Sequence, residues 1–189
     1  MQQLNLNAPL TIISGGQTGA DIAGLVAGRA CGLPTTGWAP KGWRTENGSQ
    51  PLLGSTFNLL EHSSSGYEKR TADNAAASDI TLIFSTNQNS AGTKLTQKEC
   101  LNADKGFIVI SDFGKQSQAD TLTYLRLMEP SVINIAGNRE SVSPGISARV
   151  KQFLVAILPL YNHDLITYIR EDGAKHHEIN HGPKSLEKK

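Results

Sequence analysis

The segment Ser14-Gly15-Gly16-Gln17-Thr18-Gly19-Ala20-Asp21 follows directly on the apolar run T-I-I at residues 11–13, and few folds accommodate such a junction. Its three glycines let the backbone take left-handed φ values and let another group approach where a Cβ would stand in the way. The run before them predicts a strand and the residues after them a helix, so the segment reads as a strand-to-helix loop. A helix start presents free N–H groups and the positive end of the helix dipole, a pairing that favours an anion. Gln17 and Thr18 add side-chain donors there, and Asp21 is predicted to be the N-cap. The pattern is neither G-x-x-x-x-G-K-[ST] nor a full G-x-G-x-x-G fingerprint. By itself it describes either an oxyanion loop or a tight packing turn.

The same alternation recurs along the chain. Residues 35–38, 80–84, 107–110 and 132–136 are short, continuous apolar runs rich in β-branched residues, as strands covered on both faces are. Helical periodicity falls between them, over residues 21–31, 67–78, 93–104, 118–128 and 145–158. This predicts an α/β fold with a doubly wound, mainly parallel sheet and helices on both faces. A chain of 189 residues suffices for one such domain, assigned to residues 1–160. Residues 40–54 read as irregular. Pro159 is expected to end the last helix, leaving 161–189 as a polar extension, partly disordered or packed on a neighbouring subunit. Within it L-I-T-Y-I at 165–169 is a candidate edge strand, and G-P-K-S-L-E-K-K reads as a disordered tail.

Eighteen Lys plus Arg against seventeen Asp plus Glu give a formal charge of +1, so no overall field draws nucleic acid or an anionic membrane. Any anion site must be local. Cys31 and Cys100 are far apart, without a C-x-x-C spacing, and read as reduced core residues. No basic-then-apolar leader and no run of 18 apolar residues occurs, so the expectation is a cytoplasmic protein with no membrane partner. His163, His176, His177 and His181 cluster in the polar extension and read as surface residues, because ligation needs spaced His on ordered elements. No metal site is expected.

Three further loops follow predicted strands. Lys41 and Gly42 lie in G-W-A-P-K-G, with Lys41 the one cation between two glycines. Gly92 and Thr93 lie in N-S-A-G-T, a turn whose backbone N–H groups would make a second anion nest. Gly137, Asn138, Glu140 and Ser141 lie in I-A-G-N-R-E-S. All these loops are predicted to leave the same sheet edge and to line one nucleotide-type crevice. Glu140 is the reserve acid–base candidate, or else a partner for Arg139 or a cap of the last helix. Asp79, at a strand start, reads as structural. Glu46 has no anchoring pattern, and spacing suggests no triad partner for His62.

The motifs S-G-G-Q-T-G-A-D, G-W-A-P-K-G, Y-E-K-R-T-A-D-N-A-A-A-S-D, A-G-T-K-L-T and N-I-A-G-N-R-E-S, in that order, resemble the putative molybdenum-carrier protein family. That family sits in a wider Rossmann-like group with the Lonely Guy phosphoribohydrolases and DNA-processing protein A. The resemblance runs from about residue 11 to 158. It implies a Rossmann-like domain, a homo-oligomer (dimer or tetramer), and a ligand held over the sheet's C-terminal edge, either molybdenum cofactor or a nucleotide. Lonely Guy enzymes carry P-G-G-x-G-T-x-x-E, whose Glu assists cleavage of an N-glycosidic bond. The matching stretch here places Thr96 at the Glu position, and a hydroxyl cannot act as a carboxylate base near neutral pH. Arg70 matches the Arg those enzymes use, and Thr71 and Asn74 follow it on the same helix.

The resulting expectation is a protein that carries, senses or sequesters a phosphate-bearing small molecule. Ser14 through Asp21 would cradle the phosphate, Lys41 and Arg70 would add charge, and the turns around Gly92–Thr93 and Gly137–Ser141 would complete the pocket. The competing expectation is a nucleoside-monophosphate glycosidase using Glu140 or another carboxylate.

Overall fold

A computed structural model describes residues 10–179, those from 164 onward as backbone alone. The elements are β1 (Thr11–Ser14), α1 (Ala20–Ala30), β2 (Thr35–Ala39), β3 (Arg44–Thr45), β4 (Gly48–Ser49), α2 (Leu52–Phe57), β5 (Leu59–Glu61), α3 (Tyr67–Ala76), β6 (Ile80–Phe84), α4 (Ala91–Asn102), β7 (Gly106–Ile110), α5 (Lys115–Met128), β8 (Val132–Gly137) and α6 (Ile146–Ile179). Six strands form one sheet in the order β5-β2-β1-β8-β6-β7, every adjacent pair parallel. β3 and β4 make a separate antiparallel hairpin. The expected doubly wound α/β sheet is the one observed. Among the described residues no helix is long and apolar enough to cross a membrane.

From β1 the chain steps outward to β2 and β5, crosses to β6 and β7, and returns to place β8 between β1 and β6. Winding direction therefore changes on either side of β8, and open α/β sheets bind ligands beyond the strand C-termini at such a point. Register brings three loops to that point. Phe84 stands opposite Gly137 and Ser14 opposite Ile135, so β6 and β8 end level with each other and β1 two residues short of them.

Side-chain alternation sorts the two faces. Ile80, Leu82, Phe84, Ile133 and Ile135 point to one side, where α1, α5 and α6 close the main core with Ala23, Leu125, Phe153 and Leu154. Thr81 and Asn134 point to the other, toward α3 and α4, and bond each other at 3.1 Å. A smaller apolar cluster joins α1, α2 and β5 through Leu25, Leu53, Phe57 and Leu59. Residues 40–54 are thus more ordered than expected. They carry the β3–β4 hairpin and the start of α2, elements too short to show periodicity. β5, only three residues long, adds a strand at the sheet edge.

Pro159 does not end the last helix, which runs through it to Ile179. An interior proline removes one helical hydrogen bond and clashes with the preceding turn. Here packing on both sides holds the helix together: Leu158 and Tyr161 are buried, and the Tyr161 hydroxyl donates to the Pro130 carbonyl at 2.8 Å. Residues 165–169 are helical, not an edge strand. The tail predicted beyond them and His181 lie outside the described residues. Because Pro159 is exposed, Pro159→Ala should restore the missing bond without disturbing the core. Its midpoint in urea should rise, with a stabilisation of up to about 3 kcal/mol, and an unchanged or lowered midpoint would contradict a continuous helix.

Candidate functional site

At the C-terminal end of β8 the side chain of Asn138, 2% exposed, makes four hydrogen bonds. Its Oδ1 accepts from Ser85 Oγ and Asn87 N, both at 3.1 Å, and its Nδ2 donates to Ser90 Oγ at 3.0 Å and Thr93 Oγ1 at 3.2 Å. That is the full capacity of an amide side chain, so its orientation is set by the network. The effect is to hold the turn before α4 against the centre of the sheet. Ser90 caps α4, its hydroxyl accepting from Thr93 N at 3.3 Å. The N–H groups of Ala91 and Gly92, first in the helix, have no intrahelical acceptor, and both residues line a cleft of about 870 Å³.

The cleft lies between α3 and α4 over the polar face of β8. Its charged lining consists of Arg70, Lys94, Lys98 and Arg139 against Asp21 and Glu68. Asp21 is already paired with Arg70, whose Nη1 donates to Oδ2 at 2.9 Å. Lys94, Lys98 and Arg139 form no salt bridge among the described residues, so the cleft is locally cationic in a nearly neutral chain. Arg139 lies over the Tyr67 ring at 4.8 Å, which gives the cleft a flat aromatic and guanidinium wall.

The glycine-rich turn behaves differently from its sequence reading. Ala20 N donates to the Asn138 carbonyl at 3.1 Å and Ile22 N to the Gln17 carbonyl at 3.0 Å. The protein itself therefore takes two of the first three N–H groups of α1, those of Ala20 and Ile22. Gly19, at φ 79°, is required because a Cβ there would sit 2.2 Å from the Asn138 carbonyl oxygen. What approaches Gly19 is the protein's own β8 loop. Gly15 is required for the same kind of reason, since its Cβ would overlap Arg70 Nη1 at 1.5 Å. Gly16 packs on Leu53 and Leu59, and the Ser14 hydroxyl donates to the Ile135 carbonyl at 2.6 Å. The first residues of α4, Ala91 and Gly92, line the cleft, whereas at the start of α1 it is Asp21 that does so.

Of the residues singled out in the sequence, Gln17, Asp21, Arg70, Thr71, Asn74, Gly92, Gly137 and Asn138 line the cleft. Ser14, Gly15, Gly16, Thr18, Gly19, Lys41, Gly42, Thr93, Glu140 and Ser141 do not. Lys41 is exposed, its N–H bonded to the Ser64 carbonyl and Gly42 N to Glu61, away from the cleft. Thr93 works from behind, through Ser85 and Asn138. Asp21 is not the N-cap of α1: Gly19 occupies that position and Asp21 lies inside the first turn. Lys94, Lys98 and Tyr67 were missed. The four-residue spacing of Lys94 and Lys98, which puts them on one helix face, was the available signal.

Glu140 takes the capping role. Its carboxylate accepts from Gly145 N, from Ser147 N at 3.1 Å and from Ser147 Oγ at 2.8 Å, closing the start of α6. Glu46 has an anchor after all. From the tip of the β3–β4 hairpin it accepts from the Thr18 hydroxyl, from Ser141 N at 3.2 Å and from the Ser141 hydroxyl. His62 also has a partner, Asp73, whose Oδ2 lies 2.9 Å from Nε2, while Nδ1 accepts from Ser64 N at 2.8 Å. This pair ties the end of β5 to α3. Asp79 accepts from Ser131 N and Val132 N at 2.9 and 2.8 Å, a structural role at the opposite sheet edge.

A parallel sheet with its winding reversed at β8 and a cationic cleft over the strand ends is the arrangement of a Rossmann-like small-ligand protein. The model of the circularly permutated YpsA SLOG family matches residues 12–158, and the chain belongs to that family. A crystal structure of a putative molybdenum carrier protein from Syntrophus aciditrophicus SB is similar at 36% sequence identity. The likeness covers 78% of this chain and 94% of that one, with a TM-score of 0.70. No curated protein matches the chain.

Burial raises the Asp21 carboxyl above its ordinary value, while the charge and hydrogen bond of Arg70 pull the other way. Deleting Arg70 would leave a buried carboxylate unpaired, so Arg70→Ala should cost about 3–5 kcal/mol in chemical denaturation. Arg70→Ala combined with Asp21→Ala should recover part of that loss, and strict additivity would refute the coupling. For Glu46, partial burial pushes upward but the Ser141 and Thr18 hydrogen bonds prevail, and its carboxyl lies below the ordinary 4.5. Glu140 is lowered in the same way, partial burial being outweighed by the Ser147 and Gly145 bonds. A depressed carboxyl stabilises the fold above its unfolded value and loses that contribution as pH falls through the folded one. Acid titration below pH 4.5 should therefore loosen the hairpin and the α6 start. Wild type should lose more stability across that window than Glu46→Gln, as followed by thermal melts.

Proposed function

We propose that this protein binds a phosphate-bearing small molecule, such as a nucleotide derivative or molybdenum cofactor, in order to carry, sense or sequester it in the cytoplasm. The observation that carries this reading is the start of α4, where Ala91, Gly92 and Lys94 line one cleft and the first N–H groups lack an intrahelical acceptor. An oxyanion there would accept charge-assisted hydrogen bonds, roughly twice as strong as neutral ones. The helix dipole adds to the attraction. Arg70 and Arg139 supply further positive charge and Tyr67 a surface on which a ring can stack. Thr96 lines the cleft with its hydroxyl bonded to the Gly92 carbonyl at 3.0 Å, and the carboxylates of the cleft, Asp21 and Glu68, belong to α1 and α3 and not to α4.

A second reading, hydrolysis of a nucleoside monophosphate, has one observation in its favour. Asp21 is a buried carboxyl in the cleft whose proton affinity is raised, as acid–base groups often are. Glu140, bound to the start of α6, does not offer that role. Release of free base from nucleoside monophosphates, abolished by Asp21→Asn, would establish catalysis over simple binding.

Gly92 gives a clean test of the binding reading. Nothing lies within 4 Å of where its Cβ would be, so Gly92→Asp fits the space. A carboxylate in the first turn also stabilises a helix. The variant should melt at or above the wild-type temperature yet bind nucleoside monophosphates at least about tenfold more weakly in calorimetry. Undiminished affinity would remove the α4 start from the site.

A further inference from the structure

Two residues that line the cleft each keep a buried donor without an acceptor, Gln17 Nε2 and Arg70 Nε. Gln17 is 4% exposed. Its Oε1 accepts from Thr18 N and from Glu46 N, each at 2.9 Å, which assigns the oxygen to the turn and the hairpin and leaves Nε2, on a residue that lines the cleft, without a partner. Arg70 reaches the same place from α3, its guanidinium lying over Gly15 and its Nη1 held by Asp21. The main-chain N–H of Glu46 thus orients a donor that the protein does not itself satisfy. A buried donor left without a partner is costly.

The neighbouring Asp21 decides what can fill the position. A second phosphate against Gln17 would compete with the Asp21 carboxylate for Arg70 and unpair a buried charge, whereas a neutral carbonyl leaves that ion pair intact. Two donors next to one carboxylate acceptor complement a lactam, in which a ring carbonyl adjoins a ring N–H. The amino-substituted counterpart presents the reverse order, with its NH₂ toward Gln17 and a bare ring nitrogen toward Asp21.

We propose that Gln17, held by Glu46 and assisted by Arg70, is a specificity-determining residue that selects phosphate-bearing heterocycles with a lactam edge, such as oxopurines or pterins, over amino-substituted ones. This rests on the binding reading given above, with the phosphate at the start of α4 and the ring against Tyr67 and Arg139.

Inosine and adenosine monophosphate differ only at that edge and carry the same phosphate and ribose. Calorimetry on the wild-type chain should show inosine monophosphate binding roughly ten- to a hundredfold more tightly, the range expected when a buried donor is left unpaired. Gln17→Met keeps the length of the side chain and removes the donor, together with the acceptor for Thr18 N and Glu46 N, so the ratio of the two affinities is the readout. The variant should weaken inosine monophosphate more than adenosine monophosphate, bringing the ratio of the two affinities close to one. Equal wild-type affinities would overturn the proposal while the binding reading stands. So would a Gln17→Met variant that weakens both nucleotides alike, since Gln17 would then serve the shared phosphate. If neither nucleotide nor any oxopterin phosphate binds, both readings fall. The wild-type comparison does not depend on how well the variant folds.

Discussion

The ion pair between Asp21 and Arg70 holds the two sides of this molecule together. Asp21 belongs to α1, which packs with α5 and α6 on the apolar face, while Arg70 belongs to α3 on the polar face. They meet across the end of β1 at 2.9 Å because Gly15 leaves room for the guanidinium. Burying both charges is unfavourable unless geometry and hydrogen bonds compensate. The compensation is incomplete: Asp21 is still held above its ordinary carboxyl range and Arg70 Nε lacks an acceptor. The tension lies at the wall of the cleft, where a ligand can relieve it.

Around this pair the sheet acts as a positioning device. Inserting β8 between β1 and β6 brings three loops to one sheet edge, and Asn138 uses all its hydrogen-bonding capacity to fasten the turn before α4. The same loop lies against Gly19 and accepts from Ala20 N. One loop thus packs on the start of α1 and fastens the turn before α4. Two glycine-containing turns that look alike in sequence differ in their surroundings, because only one has the Asn138 carbonyl packed on it.

Much of the architecture was legible beforehand. Five of the six sheet strands show as continuous apolar runs, because a strand covered on both faces needs apolar residues at every position. The sixth, β5, pairs only with β2 at the edge, and three residues carry no period. Pro159 misled for a different reason. The local rule against an interior proline is sound, but Leu158 and Tyr161 contribute core packing that outweighs it. In the site, Gln17, Arg70 and Gly92 were recognisable as donor or loop residues. Lys41 and Glu46 were not placed correctly, because contacts made across a hairpin have no fixed spacing in sequence.

By itself the sequence determined a parallel α/β sheet, the turns at which chemistry could occur, and the absence of a carboxylate at Thr96. Those follow from periodicity, from glycine's backbone freedom and from residue identity, all local properties. Only the tertiary structure decided what the glycine-rich turn of residues 14–21 is for. Its Ala20 N–H is taken by the neighbouring loop, its missing side chains make room for Arg70 and for the Asn138 carbonyl, and its one buried side-chain donor without a partner is Gln17 Nε2. A hydrogen-bonding group is open to a ligand only when nothing else in the fold reaches it, and that depends on segments far apart in the chain.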